Sequence, residues 1–373
     1  MTLKKVVIIG ASYAGIPLAQ SLEKSLDASY QVILIDQRSH FFHLLATVRG
    51  GTIEDMDDKL FIPFTNVFKK SGKFIQTKVV EIRRNAVVIS PPDKEFGEVI
   101  EFEYLAVATG SSYSAPFKLN TSLTKEEGVR VLETSRAAVT AANDILIIGG
   151  GPVGSETAGE IKTAFPKKNV TIVHSSDLPI SDALGPKPRQ AIKVGLEKLG
   201  VKLILNDSVV LPEGGLGDGR QRRTLTTKKG VKIESDMQIL SFGGSLNVAP
   251  IATLDPEVVG PGGIRIKPTF QVQGYDNIFA LGDVADVGEL KLAYKAGLHA
   301  DVVAKNIVAL TKKGALKEYK KGSSEVMLVT LGKNGGVAVL PGGITGGNWI
   351  SRNLKAKNLM VDHQWSKVYG SSK

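Results

Sequence analysis

The sequence predicts an α/β protein made of two Rossmann-like dinucleotide-binding domains, one inserted in the other, plus a small C-terminal α+β region. Three observations predict it. A strand, a glycine turn, a helix and a second strand follow one another from Lys4 to Asp36. The same order restarts at Asp144 and runs to Val173. Further apolar runs end on Thr109-Gly110, Gly243-Gly244 and Gly282-Asp283, where such sheets place their ligand-binding edge.

The elements follow in order. KKVVII (4–9) reads as a buried strand, residues 10–15 as a turn, and 16–26 as a helix. QVILI (31–35) is the second strand and ends on Asp36. Between 73 and 90, FIQTKVVEI and AVVIS read as an antiparallel pair, and FEYLAVA (102–108) as another buried strand. Residues 111–143 are polar and mixed, as in a crossover between domains. DILII (144–148), a glycine turn, a helix over 155–164 and VTIV (170–173) repeat the opening pattern. Residues 214–232 read as a loose hairpin. MQILSF (237–242) and NIFAL (277–281) are strands, and a long helix covers about 292–310. The first domain thus takes 1–120 and 245–310, the second 121–244, and the C-terminal region 311–373.

Length and composition narrow the function classes. At 373 residues the chain fits two to three domains, and 42% hydrophobic with 23% charged residues suits a globular core. There is no cysteine, which excludes a disulfide, a thiolate metal site and a CxxC redox pair. Redox chemistry must then reside on a bound cofactor. The five histidines show no metal-ligand spacing, so no metal is expected. The chain runs from Met1 almost directly into a strand, too soon for a signal peptide. Thr2 stands where N-myristoylation needs glycine. No stretch has the ~18 apolar residues of a membrane span.

The net charge of +10 is uneven. From Lys291 to Lys373 there are 14 Lys+Arg against 4 Asp+Glu, leaving 33 of each sign in the preceding 290 residues. Such a tail is either a solvated surface or a contact for an anionic partner. Trp349 and Trp365 flank the basic run Arg352, Lys355 and Lys357. That pattern suits a membrane interface, unless both tryptophans are core. Basic residues interleaved with aromatics for nucleic acid are not evident, so nucleic acid is not an expected partner.

The chemistry is concentrated in the glycine turns. Gly149, Gly151 and Gly154 complete a GxGxxG between a strand and a helix. Its glycines serve a tight turn, close approach of a pyrophosphate, and helix–strand packing, with the helix N-terminus facing the phosphates. The first turn has Gly10 and Gly15 but Ser12 in the middle. Asp36 lies 21 residues beyond Gly15, where an acid accepts hydrogen bonds from ribose hydroxyls. Asp283 can bind a polyol hydroxyl, cap the next helix, or both. The position equivalent to Asp36 in the second unit is His174, which is either a ligand contact or a surface histidine. No acid there selects NADH and no arginine selects NADPH. Glu156 is either an exposed first-turn carboxylate or one that faces inward toward the nicotinamide.

These stretches converge on a family. LAVATGSSY (105–113), IIGGGPVGSETAGEIKTAFPKKNVTIVHSS (147–176), NIFALGDVADV (277–287), LKLAYKAGLHADVVAKNIV (290–308) and ISRNLKAKNLMVDHQW (350–365) carry the likeness. The sequence resembles the FAD-dependent pyridine-nucleotide oxidoreductases. Within them it is most similar to the apoptosis-inducing-factor-like branch that holds the ferroptosis suppressor proteins and small fungal homologues. The resemblance implies that Gly10, Ala11, Ser12, Ala14 and Gly15 hold the FAD pyrophosphate and Asp36 its ribose. Arg49 contacts FAD, Val79 meets the adenine through its backbone, Thr109 and Gly110 line the site, and Gly282 with Asp283 binds the ribityl chain. Gly149, Gly151, Pro152, Val153, Gly154, Glu156, His174 and Gly243 face NAD(P)H. Ser12 and Thr2 depart from the family pattern.

The implied activity is transfer of hydride from NAD(P)H through FAD to a quinone-type acceptor such as ubiquinone, with no catalytic acid or base assigned. Two alternatives stay open. One is a tailoring flavin oxidoreductase of secondary metabolism. The other is a nucleotide-binding signalling protein of the apoptosis-inducing-factor type. The expected setting is cytoplasmic, as a monomer or homodimer. Peripheral contact through the basic C-terminal region, on a membrane such as the mitochondrial surface or lipid droplets, is the further expectation. Deleting the residues after about 310 should then abolish binding to anionic liposomes.

Overall fold

The computed structural model describes residues 3–53, 56–119 and 122–370. Thr2 and the expected domain limits at 120 and 121 lie outside them. Two parallel sheets organise the chain. The first has five strands in the order Ile278–Ala280, Tyr104–Val107, Lys4–Ile9, Tyr30–Asp36 and Lys73–Gln76. The second has four, in the order Val201–Ile204, Asn169–Val173, Asp144–Ile148 and Met237–Leu240. All pairings within both sheets are parallel. Strands covered on both faces read as continuous apolar runs, and Val6, Val7 and Ile8 are fully buried for that reason.

The two sheets are joined where the chain crosses over and back. Ser111–Ser112 pairs antiparallel with Ser245–Leu246. Asn247 ties the two crossings. Its Nδ2 donates to the Thr109 carbonyl at 2.8 Å, and its Oδ1 accepts from Ser112 Oγ at 2.7 Å. The edge of the binding cleft is therefore built from residues about 135 positions apart.

Two local expectations change, and the C-terminal region gains its packing partner. The run FIQTKVVEI is not one strand. Lys73–Gln76 closes the first parallel sheet, and Lys78–Arg83 starts an antiparallel sheet with Ala86–Asp93 and Gly97–Glu101. Thr77 makes the break: its N–H donates to Asp36 O at 3.0 Å and its hydroxyl to Pro91 O at 2.7 Å. The polar segment 111–143 contains a 17-residue helix, Lys125–Ala141. It starts on a complete capping box, with Thr124 and Glu127 each bonding the other's backbone N–H. Finally, the C-terminal strands Met327–Thr330, Gly336–Val339 and Thr345–Gly346 form an antiparallel sheet. Met327, Val329, Val337 and Val339 share a core with Ile145, Ile147 and Ile161 of the second domain.

Candidate flavin and nucleotide site

The two glycine turns are close structural repeats. Gly10 and Gly149 have φ of +104° and +111°, a region that disfavours side chains. Their N–H groups donate to Ile35 O at 2.8 Å and Val173 O at 2.9 Å, which pins each turn to the neighbouring strand. A Cβ on Gly15 would lie 1.8 Å from Gly10 O, and one on Gly154 would lie 2.0 Å from Gly149 O. Helix and turn are thus in backbone contact, and only glycine permits it. The middle position differs. A Cβ on Gly151 would meet nothing within 4 Å, so the protein itself does not require glycine there. The open space in front of Gly151 fits a pyrophosphate approaching the backbone.

Two clefts run along the C-terminal edge of the first sheet and share Arg38, Thr109 and Asn247. One, of about 400 Å³, is lined by Gly10, Asp36, Thr77 and Val79. The other, of about 260 Å³, is lined by Ser12, Ala14, Gly110, Phe117, Gly282 and Asp283. Together they make an elongated groove with an acid near each end, a shape and chemistry that fit a dinucleotide. Asp36 Oδ2 accepts from Ala11 N–H at 2.7 Å and Oδ1 from Arg38 N–H at 2.9 Å. Each oxygen keeps a second lone pair for a ligand hydroxyl. Ala11 and Gly15 hold the turn from behind, while Gly10, Ser12, Ala14, Val79, Thr109, Gly110, Gly282 and Asp283 face the groove.

Lys118 is a groove residue that no sequence motif marks. Its Nζ donates to Ser111 O and Ser111 Oγ, both at 2.6 Å, and lies 3.8 Å from Asp283 Oδ2. It also sits 5.1 Å from the centre of the Tyr113 ring. Burial pulls its ammonium below the ordinary lysine value, and the Asp283 carboxylate opposes that shift. Lys291 closes the far side, bonding the carbonyls of Asp283, Ala285 and Gly262.

The second turn reaches the same groove. Val153 and Glu156, from the first turn and a half of the helix Pro152–Ala164, line the cleft that holds Ser12 and Asp283. Gly149, Gly151, Pro152 and Gly154 form the turn itself. His174 and Gly243 follow the strands on either side of it. His174 does not project freely: Gly150 N–H donates to its Nδ1 at 3.2 Å, and the ring is half-buried. Its visible work is to brace the glycine turn.

One sequence expectation does not match the structure, and one open alternative narrows. Arg49 does not line the groove. Its guanidinium is buried and grips Glu160 in a fork, Nε to Oε2 at 2.9 Å and Nη2 to Oε1 at 2.8 Å. It also donates to the carbonyls of Ala356 and Lys357. That use of its donors turns the guanidinium to the protein rather than to the groove. Burial pushes the Glu160 carboxyl up, and Arg49 pulls it back down. Glu156 is not an exposed first-turn carboxylate. It is 6% exposed and its Oε1 accepts from Lys355 Nζ at 2.6 Å, Thr330 N–H at 2.9 Å and Thr330 Oγ1 at 3.2 Å. Lys355 is therefore buried, not part of a basic surface run.

A third tether involves His43, which is fully buried. Its Nε2 lies 2.8 Å from Leu359 O and must donate there, so its Nδ1 accepts from Tyr13 O–H at 2.8 Å. Burial pushes the His43 pKa down to about 4, and that of buried His40 also to about 4. An unfolded histidine titrates near 6.5. Each group therefore contributes stability that is complete above pH 6.5 and lost as pH falls from 6.5 towards 4, by about 3 kcal/mol apiece. Denaturant unfolding across that range should show the loss, and His43→Gln should reduce its slope. An unchanged slope would show that His43 is not neutral in the fold.

Comparison with known proteins agrees with this geometry. The family described as pyridine nucleotide-disulphide oxidoreductase matches residues 4–300. Apoptosis-inducing factor homolog A of Dictyostelium discoideum is 34% identical over 385 residues, covering 96% of this chain and 90% of that protein. Ferroptosis suppressor protein 1 of Homo sapiens is 33% identical over 365 residues, covering 97% and 95%. The solved structure of the sulfide:quinone oxidoreductase from Aquifex aeolicus has a TM-score of 0.79 at 19% identity, covering 99% of this chain and 92% of that one. At that identity the likeness is one of fold. The chain belongs to the pyridine nucleotide-disulphide oxidoreductase family, whose members use FAD and a pyridine nucleotide.

Proposed function

We propose that this chain is an NAD(P)H:quinone oxidoreductase. The observation that carries the reading is the convergence of Val153 and Glu156 from the second glycine turn with Ser12, Ala14 and Asp283 from the first domain in one cleft. FAD bound in the groove supplies the hydride acceptor and the store of electrons. The chain's residues bind and orient. Ser12 and Ala14 would face its pyrophosphate at the helix end, while Gly10, Ala11 and Gly15 hold the turn, the N–H groups of Gly10 and Ala11 being taken by Ile35 O and Asp36. Asp36 accepts from the adenosine ribose, Val79 borders the adenine, and Asp283 with Lys118 and Ser111 faces the ribityl chain. Gly149–Gly154 and the following helix end take the pyrophosphate of NAD(P)H.

The acceptor class follows from what the chain contains. Among its 373 residues there is no cysteine, so electrons do not pass to a disulfide of this chain. They must leave to a separate molecule. Phe42, Leu44, Leu45, Phe117 and Val153 make an apolar wall in the cleft that suits a flat quinone ring. The quinone in the name of the Aquifex aeolicus structure accords with this choice. Steady-state oxidation of NADH and NADPH should be accelerated by ubiquinone analogues or menadione beyond the rate with oxygen alone. Retained flavin with negligible oxidation by any acceptor would favour a signalling role instead.

We further propose peripheral contact with an anionic membrane. No helix among the described residues is long and apolar enough to cross one. The two tryptophans divide. Trp365 is packed against the core, with its Nε1–H donating to Lys59 O at 3.0 Å. Trp349 is 77% exposed, near Ile344 and Leu354 in sequence, which are also exposed, with Arg352 and Lys357 close by in the chain. Deleting the whole C-terminal region would strip Met327, Val329, Val337 and Val339 from the core, so a point change is the cleaner test. Trp349→Ser should weaken sedimentation with phosphatidylserine liposomes about tenfold, the scale of one buried aromatic. Equal binding by both proteins would remove Trp349 from the contact.

A further inference from the structure

The turn that carries Asp283 is held from behind by a buried histidine. Gly282 N–H donates to His299 Nδ1 at 3.2 Å. With Nδ1 accepting, the neutral ring carries its proton on Nε2, which meets Glu289 Oε1 at 2.8 Å. Glu289 is itself fixed: Lys295 Nζ lies 3.1 Å from its Oε2, and Tyr319 O–H reaches both oxygens at 3.3 and 3.4 Å. Lys295 also pairs with Glu325 at 2.8 Å. The ring is packed between Phe270 and Tyr319, with centroids 4.7 and 5.0 Å away. His299 is 4% exposed, too deep to meet a ligand itself.

We propose that His299 is a positioning residue for the flavin, holding the Gly282–Asp283 turn through its neutral Nδ1 while Glu289 fixes the ring. The proposal rests on the groove being the FAD site. Its logic is that of an outer partner that fixes a first contact: a small rotation of the turn moves the Asp283 carboxylate out of the groove. The groups facing the ring are Glu289 from the preceding loop, Asp283 from the turn, Lys295 from its own helix and Tyr319 from the segment after it. Burial lowers the His299 pKa, Lys295 acts the same way, and Glu289 and Asp283 oppose them. Protonation would place an N–H against the N–H of Gly282 and release the turn. FAD affinity should therefore fall as pH drops.

The test measures FAD dissociation from the holoprotein by the recovery of free-flavin fluorescence. His299→Leu should raise the dissociation constant about tenfold, the scale of one buried hydrogen bond. His299→Asn, whose Oδ1 can take the place of Nδ1, should recover most of the affinity. As pH falls below the ordinary histidine value of about 6.5, the native protein should lose more affinity than His299→Asn does. Wild-type affinity in His299→Leu, or a pH response in His299→Asn as large as in the native protein, would overturn the proposal. If His299→Leu does not fold, the pH comparison between the native protein and His299→Asn decides. If the native protein binds no FAD at all, it is the assignment of the groove that fails.

Discussion

Replacing Gly154 with alanine should slow reduction of the flavin by NAD(P)H about a hundredfold while leaving FAD in place. The new methyl would sit 2.0 Å from Gly149 O and 2.6 Å from Ser241 Oγ. The backbone oxygen cannot rotate aside, so the turn must move by about an ångström, a displacement that can cost about a hundredfold in rate. The loss should fall on kcat/KM for the nucleotide. Gly15→Ala is the mirror experiment: its contact with Gly10 O is 1.8 Å, and it should cost FAD retention instead. Gly151→Ala separates ligand from scaffold. Because a Cβ there meets no atom of the protein, thermal stability should be unchanged while KM for NAD(P)H rises. If Gly151→Ala left KM untouched, the second turn would not be a pyrophosphate site.

Lys355→Met should lower stability by about 3–5 kcal/mol, because it strands the buried Glu156 carboxylate. Both side chains of the pair are 8% exposed, so water does not replace the lost partner. The double change Glu156→Gln with Lys355→Met removes both charges and should recover much of the loss. The same reasoning applies to Arg49 and Glu160, at 6% and 4% exposure. Denaturant unfolding of the two singles and the double gives the coupling directly. A Lys355→Met protein as stable as the parent would mean that the ion pair does not form. These pairs matter for function because Glu156 also lines the cleft. The C-terminal segment 355–359 is thus fastened at three points, to Glu156 in the cleft and to the buried Arg49 and His43 behind it.

The parts of the fold that local chemistry dictates were legible in the sequence. Both glycine turns, Asp36 and the Gly282-Asp283 turn follow strands at spacings that backbone geometry imposes. The helix Lys125–Ala141 was missed, because the polar composition of 111–143 reads as a crossover; the local signal it carried was the capping box of Thr124 and Glu127. What stayed hidden depends on long-range contact. Glu156 and Lys355 are 199 positions apart, and Arg49 lies 307 from Ala356. Nothing in a basic C-terminal run distinguishes the lysine that is buried from those that are solvated. Lys118 is likewise defined only by the folding of Ser111 and Asp283 around it. Arg49, expected from the resemblance to contact FAD, holds a carboxylate and two carbonyls.

A cleft that brings a pyridine nucleotide to a bound flavin must let the one reduce the other. Anaerobic stopped-flow mixing of the holoprotein with NADH and with NADPH, followed by a ubiquinone analogue, tests it most directly. Flavin absorbance should fall with at least one nucleotide and return on addition of the quinone. Flavin that stays oxidised with both nucleotides would contradict it.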